Sequence, residues 1–162
     1  MAEDKNHSRR QFLGGMVLAG AASAVAVAAQ GQGMGMGMMG PSKNKVVYQL
    51  NQSDPGYVSD ILHSAAVVLG HFNNDVDIAI DCFGPGIWLL VKASKRHEHY
   101  SQFIREQVSS LHMYNVRFLA CEQTMKTIKI GKEDLISEAT PVFSGAVELI
   151  TLQQQGYAYI AW

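Results

Sequence analysis

The sequence has few cysteines and little excess charge of either sign. Two cysteines among 162 residues are too few for a disulfide scaffold, so folding must rest on core packing. The formal net charge of −1 gives no electrostatic case for binding nucleic acid or an anionic membrane surface. With 48% apolar residues, the chain can form one domain with a substantial hydrophobic core.

Two common ligand-binding motifs are also missing from the sequence. The segment Phe83-Gly84-Pro85-Gly86-Ile87 is rich in glycine, but no Lys-Ser/Thr pair follows it and the Rossmann spacing is absent. His97 and His99 have no cysteine or carboxylate set at metal-ligand spacing, which favours a solvated connection over a metal site. We therefore expect neither a cofactor nor a metal site.

The N-terminus carries the most specific motif in the chain. Ser8-Arg9-Arg10-Gln11-Phe12-Leu13 precedes an apolar run, rich in alanine and glycine, that ends at Ala29. This pattern resembles a twin-arginine export signal, so we predict that residues 1–29 are a signal peptide, cleaved near Ala28 or Ala29, and that the protein reaches the periplasm. The alternative is an uncleaved anchor, because about 20 apolar residues span a bilayer. We expect membrane attachment only in that case.

Residues 30–44 form a glycine- and methionine-rich segment that cannot build a core. Its glycines alternate with Met34, Met36, Met38 and Met39. Alternating glycine keeps a backbone flexible, which is typical of a linker. Thioethers are soft ligands that suit Cu(I), so copper handling is a second hypothesis for the same segment.

From residue 45 onward, short β-rich runs alternate with helical patterns. Apolar residues at helical spacing indicate helices after Tyr57, after Tyr100 and after Ser144, and shorter helices are predicted at Trp88–Val91 and at Thr124–Ile128, ending at Gly131. The predicted strands lie at 45–50, 76–82, 116–121, 140–143 and 157–160. This alternation predicts one α/β domain over residues 45–162, in three α/β/α layers with a mostly parallel sheet of about five strands.

Cys121 is the residue on which the functional argument depends. It ends the apolar run Val116–Ala120 and is followed by polar residues that could open a helix. In open α/β sheets, ligands bind outside the carboxyl ends of the strands. A helix starting there would point backbone N–H groups at the sulfur and favour the thiolate. The alternative is that Cys121 is simply a small buried hydrophobic residue.

Several spaced segments together resemble the DsrE/DsrF-like family. They are Val46-Val47-Tyr48, Phe83–Ile87, Val116–Cys121 with Thr124, Ser144-Gly145 and Gln155–Ile160. The resemblance covers residues 45–162 and implies a small α/β protein that forms homo-oligomers. It also implies a sulfur relay in which Cys121 matches the cysteine that accepts sulfur as a persulfide. Two features depart from the relay members: Glu122–Met125 replaces a basic or alanine-rich segment, and the chain carries an export signal.

We therefore predict an exported sulfur carrier or sulfurtransferase with Cys121 as its catalytic residue, since a thiolate attacks sulfane sulfur and passes it to another thiolate. Its partner would be a sulfur donor or acceptor protein or a small sulfane-sulfur compound. The predicted substrate pocket comprises Cys82, Gly84, Pro85, Gly86 and Thr124.

Two alternatives stay open at this point. Cys82 could be a second sulfur acceptor, a disulfide partner of Cys121 or a packing residue; a disulfide would need Cα atoms within about 7 Å. The whole protein could instead be a non-catalytic oligomeric binding module that handles Cu(I) through the methionines of residues 30–44.

Overall fold

The computed structural model describes residues 42–95 and 100–162. The strands are β1 (Lys45–Leu50), β2 (Asp77–Cys82), β3 (Arg117–Cys121), β4 (Ala139–Val142) and β5 (Ala158–Ile160). The α-helices are α1 (Pro55–His71), α2 (Gln102–Met113), α3 (Glu122–Ile128) and α4 (Gly145–Gln154), and two 3-10 helices span Gly84–Leu90 and Lys132–Asp134. Strands and helices alternate along the chain, as predicted.

The five strands form one sheet in the order β4-β3-β2-β1-β5, and every neighbouring pair is parallel. The predicted α/β fold with a parallel sheet is therefore confirmed. β2 lies at the centre, and its end at Cys82 pairs with Leu50 of β1 and Ala120 of β3. Since the strands are parallel, their carboxyl ends share one edge of the sheet.

The two faces of the sheet are covered unequally. On one face, α1, α2 and the first 3-10 helix pack over the larger core, built around Tyr48, Ile80 and Phe118. On the other face, Leu149 and Leu152 of α4 pack over a smaller core. The difference follows from the right-handed connections between parallel strands. The chain steps across the sheet in one direction from β1 to β4, so the helices between these strands lie on one face. From β4 it returns to the far edge at β5, so the connecting helix α4 lies on the opposite face.

Helix α1 shows how the local sequence fixes these elements. The Asp54 carboxylate accepts a hydrogen bond from Tyr57 N–H at 2.9 Å, and Pro55 supplies a backbone angle suited to the first helical turn. Asn73 and Asn74 both adopt positive φ just beyond the helix, at the stop that the sequence predicted.

Two of the predicted short helices differ from the structure. The helix expected at Trp88–Val91 is a 3-10 helix that starts at Gly84, and Val91 instead forms a bridge with Leu135. Pro85 fits the first turn and its missing N–H needs no partner there, which explains the early start. Helix α3 begins at Glu122 rather than Thr124, and it ends because Lys129 adopts a left-handed conformation, before Gly131.

Several sequence predictions fall outside the described residues. The signal peptide at 1–29, the methionines at 34–39 and the pair His97 and His99 all lie there. Among the helices of the described part of the chain, none is long and apolar enough to cross a membrane.

Candidate functional site

Cys121 lies at the junction of β3 and α3, where it is the N-cap residue of the helix. Its Sγ accepts a hydrogen bond from Thr124 N–H at 3.5 Å. N-cap side chains bind the backbone N–H groups that the first helical turn leaves without partners. The immediate start of α3 after β3 therefore turns the sulfur into the cap of the helix.

A second helix also directs a donor at the sulfur. The backbone N–H groups of Gly145, at the start of α4, and of Gln123, together with the Thr124 side chain, are further donors that stabilise the Cys121 thiolate. Burial alone would raise the pKa of the Cys121 thiol, but these donors outweigh it and the pKa is lowered from its usual value. The site therefore favours the thiolate.

Thr124 connects the sulfur to the loop after β2. Gly84 N–H donates to Thr124 Oγ1 at 3.0 Å, so the hydroxyl hydrogen is free to point at Sγ. Gly84 adopts φ of +51°, a conformation that favours glycine. The structure thus joins the predicted catalytic residue Cys121 to two of the predicted pocket residues, Thr124 and Gly84, in one chain of hydrogen bonds.

Pro85 and Gly86 hold this loop rather than line the sulfur. Pro85 occupies the first turn of the 3-10 helix and is exposed. A Cβ on Gly86 would lie 2.1 Å from the Leu50 carbonyl oxygen, so a residue with a side chain cannot pack there. Their role is to seat the 3-10 helix on the end of β1.

Cys82 lies away from the sulfur of Cys121. It pairs with Ala120, so the side chains of Cys82 and Cys121 leave opposite faces of the sheet. Cys82 is fully buried in the larger core, and both cysteines are free. Burial, followed by the charge of Asp81, raises the pKa of the Cys82 thiol well above its usual value. This placement fits the packing interpretation and keeps Cys82 out of the pocket.

Asp81 is a site residue that the sequence reasoning missed. It is 0% exposed, and neither carboxylate oxygen has a hydrogen-bond partner. Burial, and then the charge of Glu148, raises the pKa of Asp81 to about 7. The available signal was an acidic residue within the otherwise apolar run of a central strand, because charged residues are rarely buried unpaired.

Gly145 brings Asp81 and Cys121 to the same helix end. A Cβ built on Gly145 would lie 3.1 Å from both Asp81 carboxylate oxygens and 2.7 Å from Phe83 Cδ1. Real Cβ atoms essentially never come as close as 2.7 Å, so a side chain on residue 145 would force Phe83 or the start of α4 to move. The same residue donates its N–H to Cys121 Sγ.

The opposite edge of the sheet offers a cavity without comparable chemistry. It has a volume of about 480 Å³ and is lined by residues that include Asp77, His112 and Arg117. Arg117 is paired there with Asp77 at 3.2 Å and is therefore already neutralised. In the described part of the chain, no three His, Cys, Asp or Glu side chains form a group that could hold a metal.

Replacing Gly145 with alanine should raise the pKa of Cys121. The new methyl group would push the start of α4 away from Phe83 and weaken the N–H donor to the sulfur. We expect the rate of Cys121 alkylation by iodoacetamide at neutral pH to fall roughly threefold to tenfold, measured as a function of pH by mass spectrometry.

Gly70→Ala is the matched control, because Gly70 is exposed in α1 and a Cβ there meets nothing within 4 Å. It should leave the alkylation profile unchanged and stabilise the helix by about 0.5–1 kcal/mol. Equal alkylation profiles for Gly145→Ala and the wild type would contradict the assigned role of Gly145.

The pH dependence of stability should report the raised pKa of Asp81. A buried carboxyl with a raised pKa contributes stability that is complete below its unfolded pKa and is lost as the pH rises through about 7. The amide that replaces the carboxyl in Asp81→Asn cannot ionise. The free energy of unfolding of this variant, relative to wild type, should therefore increase by roughly 3 kcal/mol between about pH 4 and about pH 8.

Urea unfolding across this pH range measures the effect. Asp60→Asn removes an exposed carboxylate on α1 and should show no comparable trend. Parallel curves for Asp81→Asn and wild type would show that the Asp81 carboxyl ionises normally in the folded protein.

Comparison with known proteins places this site in a family. The model of the DsrE/DsrF-like family matches residues 45–162. Similar solved structures include MTH1491 from Methanobacterium thermoautotrophicum, a protein of unknown function, with a TM-score of 0.65, 24% identity and coverage of 74% of this chain and 99% of that chain. The ychN protein from E. coli has a TM-score of 0.60 and 17% identity, with the same coverage of both chains.

No curated protein matches the chain. At these identities the two structures establish the fold alone, whereas the family model covers the whole domain that carries Cys121. A sulfur-relay-type role is supported at the level of the family. The chain belongs to the DsrE/DsrF-like family.

Proposed function

We propose that this protein is an exported sulfur carrier that holds a persulfide on Cys121. The observation that carries the proposal is the set of donors on Cys121 Sγ, which come from the starts of both α3 and α4. Such donors stabilise a thiolate, and they would equally stabilise the anionic sulfur of a persulfide at the same place. The fold supplies both helix ends at one edge of the sheet.

The transfer needs one cysteine. The Cys121 thiolate attacks the sulfane sulfur of a donor, a bond forms between the two sulfur atoms, and the donor leaves as a thiolate with the electron pair of the broken bond. An acceptor thiolate then removes the outer sulfur by the same step and regenerates the Cys121 thiolate. Cys82 takes no part because it faces the opposite core.

Burial of the sulfur limits the shape of the donor. Cys121 is 4% exposed, so a bulky group cannot surround it. A slim terminal sulfur, as in a small polysulfide or at the end of a persulfide side chain, fits such a narrow approach. We infer that the donor or acceptor is a small sulfane-sulfur compound or a partner protein that presents its sulfur on an extended segment.

Incubation with polysulfide should add one sulfur atom to Cys121, detected by intact and peptide mass spectrometry. Cys121→Ser should abolish the gain, whereas Cys82→Ala should retain it, since Cys82 lies in the core. Sulfur on Cys121→Ser, or none on wild type, would contradict the carrier role.

Export is tested separately by the mass of protein recovered from the periplasm after expression of the full chain. This protein should lack residues 1–29, as a cleaved export signal requires.

We also propose that the chain assembles with copies of itself through the outer face of α4. Val147 and Ile150 are exposed and three residues apart on α4, which places them on one face of the helix, and the exposed Phe143 lies just before the N-cap Ser144. These three residues are the apolar stripe of α4. This stripe lies on the thinly covered side of the sheet. Burying it against a second copy would remove the exposed apolar surface from water.

Ile150→Asp should therefore dissociate the assembly, as measured by light scattering coupled to size-exclusion chromatography. Val67→Asp is the matched control, because Val67 on α1 is 56% exposed, the same as Ile150. It should leave the assembly intact. A monomeric wild type, or equal effects of both variants, would contradict the use of this stripe.

A further inference from the structure

One buried acid at the site, Asp81, takes no part in the sulfur transfer proposed for Cys121. Both carboxylate oxygens of Asp81 lack partners, although the residue is completely enclosed. An ionised carboxylate in such a place is strongly penalised, so the carboxyl must be held neutral or must share its charge with a neighbour. The question is which neighbour could receive its proton.

The fold places Asp81 and Cys121 on the same face of two adjacent strands. Asp81 of β2 pairs with Leu119 of β3, and Cys121 lies two residues beyond Leu119, so both side chains point toward α4. Gly145 lies beside both groups: its N–H is a donor to Cys121, and a Cβ built on it would lie 3.1 Å from both Asp81 carboxylate oxygens. The first residue of α4 is thus flanked by one acid and one thiol.

We propose that Asp81 is the proton donor of the Cys121 site, and that the pair keeps one proton and one negative charge throughout sulfur transfer. This deepens the proposed function and rests on it. Three other groups lie around Asp81: Glu148 from α4, Cys82 next to it on β2 and the neutral Gln49 opposite it on β1. Glu148 is the other carboxylate, and its charge favours the neutral form of Asp81.

The chemistry balances for a donor of the class R–S–SH. The Cys121 thiolate bonds to the terminal sulfur, the S–S bond of the donor breaks, and R–S⁻ leaves with the electron pair. The Asp81 carboxyl protonates R–S⁻ to R–SH and becomes a carboxylate. The new Cys121–S–SH, a stronger acid than a thiol, returns its proton to Asp81. The site ends as Cys121–S–S⁻ beside a neutral Asp81.

The environments of the two groups suit these roles. Burial raises the pKa of Asp81 to about 7, so a large fraction keeps its proton at neutral pH. Hydrogen-bond donors lower the pKa of Cys121 despite its burial. The two environments therefore move the pKa of the acid up and the pKa of the nucleophile down, toward each other.

The first test compares two reagents on wild type and Asp81→Asn. Transfer of sulfur from glutathione persulfide releases a thiolate that needs a proton, whereas alkylation by iodoacetamide releases iodide, which does not. For Asp81→Asn we expect transfer to Cys121 to slow about a hundredfold at the pH optimum, and alkylation to change less than about threefold. Wild type should show a bell-shaped pH profile of transfer, and the variant should lose the descending limb.

Asp60→Asn is the surface control and should keep the wild-type profile. An equal loss of transfer and alkylation in Asp81→Asn would mean that Asp81 only shapes the pocket, and no loss of either would mean that it is not the donor. Both results overturn the proposal.

The second test measures the proton directly and does not depend on folding of Asp81→Asn. The Asp81 carboxyl is titrated by carbon-13 NMR in wild type and in Cys121→Ser. Since a thiolate at Cys121 opposes ionisation of Asp81, the midpoint should move to lower pH in Cys121→Ser. Identical midpoints overturn the proposal. If wild type accepts no sulfur at all, the carrier function fails, and this titration still decides whether the two groups share a proton.

Discussion

The N–H of Gly145, the first residue of α4, is one of the donors that stabilise the thiolate of Cys121, the last residue of β3. A Cβ on Gly145 would lie 2.7 Å from Phe83 Cδ1, so a side chain at this position would force Phe83 or the start of α4 to shift. The close approach of a backbone to the sulfur therefore depends on a single glycine. Through this contact α4, which carries the chain from β4 back to β5, adds a hydrogen-bond donor to the site. The end of β3 alone would not provide it.

The topology explains why both helices meet the sulfur. Helix α3 follows β3 directly, so its first turn lies beside Cys121 by chain connectivity. Helix α4 follows β4, the neighbour of β3, and must cross the opposite face to reach β5. Its start consequently lies over the carboxyl ends of β3 and β2. The same crossing leaves α4 to cover that face, which accounts for the burial of Leu149 and Leu152 on its inner side.

The sequence predicted the fold well because strand and helix periodicities are local properties. It also singled out Cys121 as the candidate nucleophile, since a thiol at the end of an apolar run can be recognised without tertiary information. Asp81 and Gly145 escaped because their importance arises from the pairing of β2 with β3 and from where α4 begins, and neither is encoded locally. Cys82 was placed in the pocket because both cysteines end strands, but the pairing register sends their side chains to opposite faces.

Two cysteines in one sheet show how position decides chemistry. Cys82 and Cys121 are both buried, and burial raises the pKa of either thiol. Around Cys121 the donors of Thr124, Gly145 and Gln123 reverse the effect, whereas at Cys82 the charge of Asp81 reinforces it.

Asp81 extends the same reasoning to the acid of the pair. It shares the α4 side of the sheet with Cys121, but the helix start offers its N–H to the sulfur and leaves both carboxylate oxygens without donors. Burial and the charge of Glu148 therefore move Asp81 toward its protonated form, whereas the donors around Cys121 move its thiol toward the thiolate. The donors at the start of α4 serve Cys121 and not Asp81. This difference gives the nucleophile and the proposed acid opposite shifts in pKa.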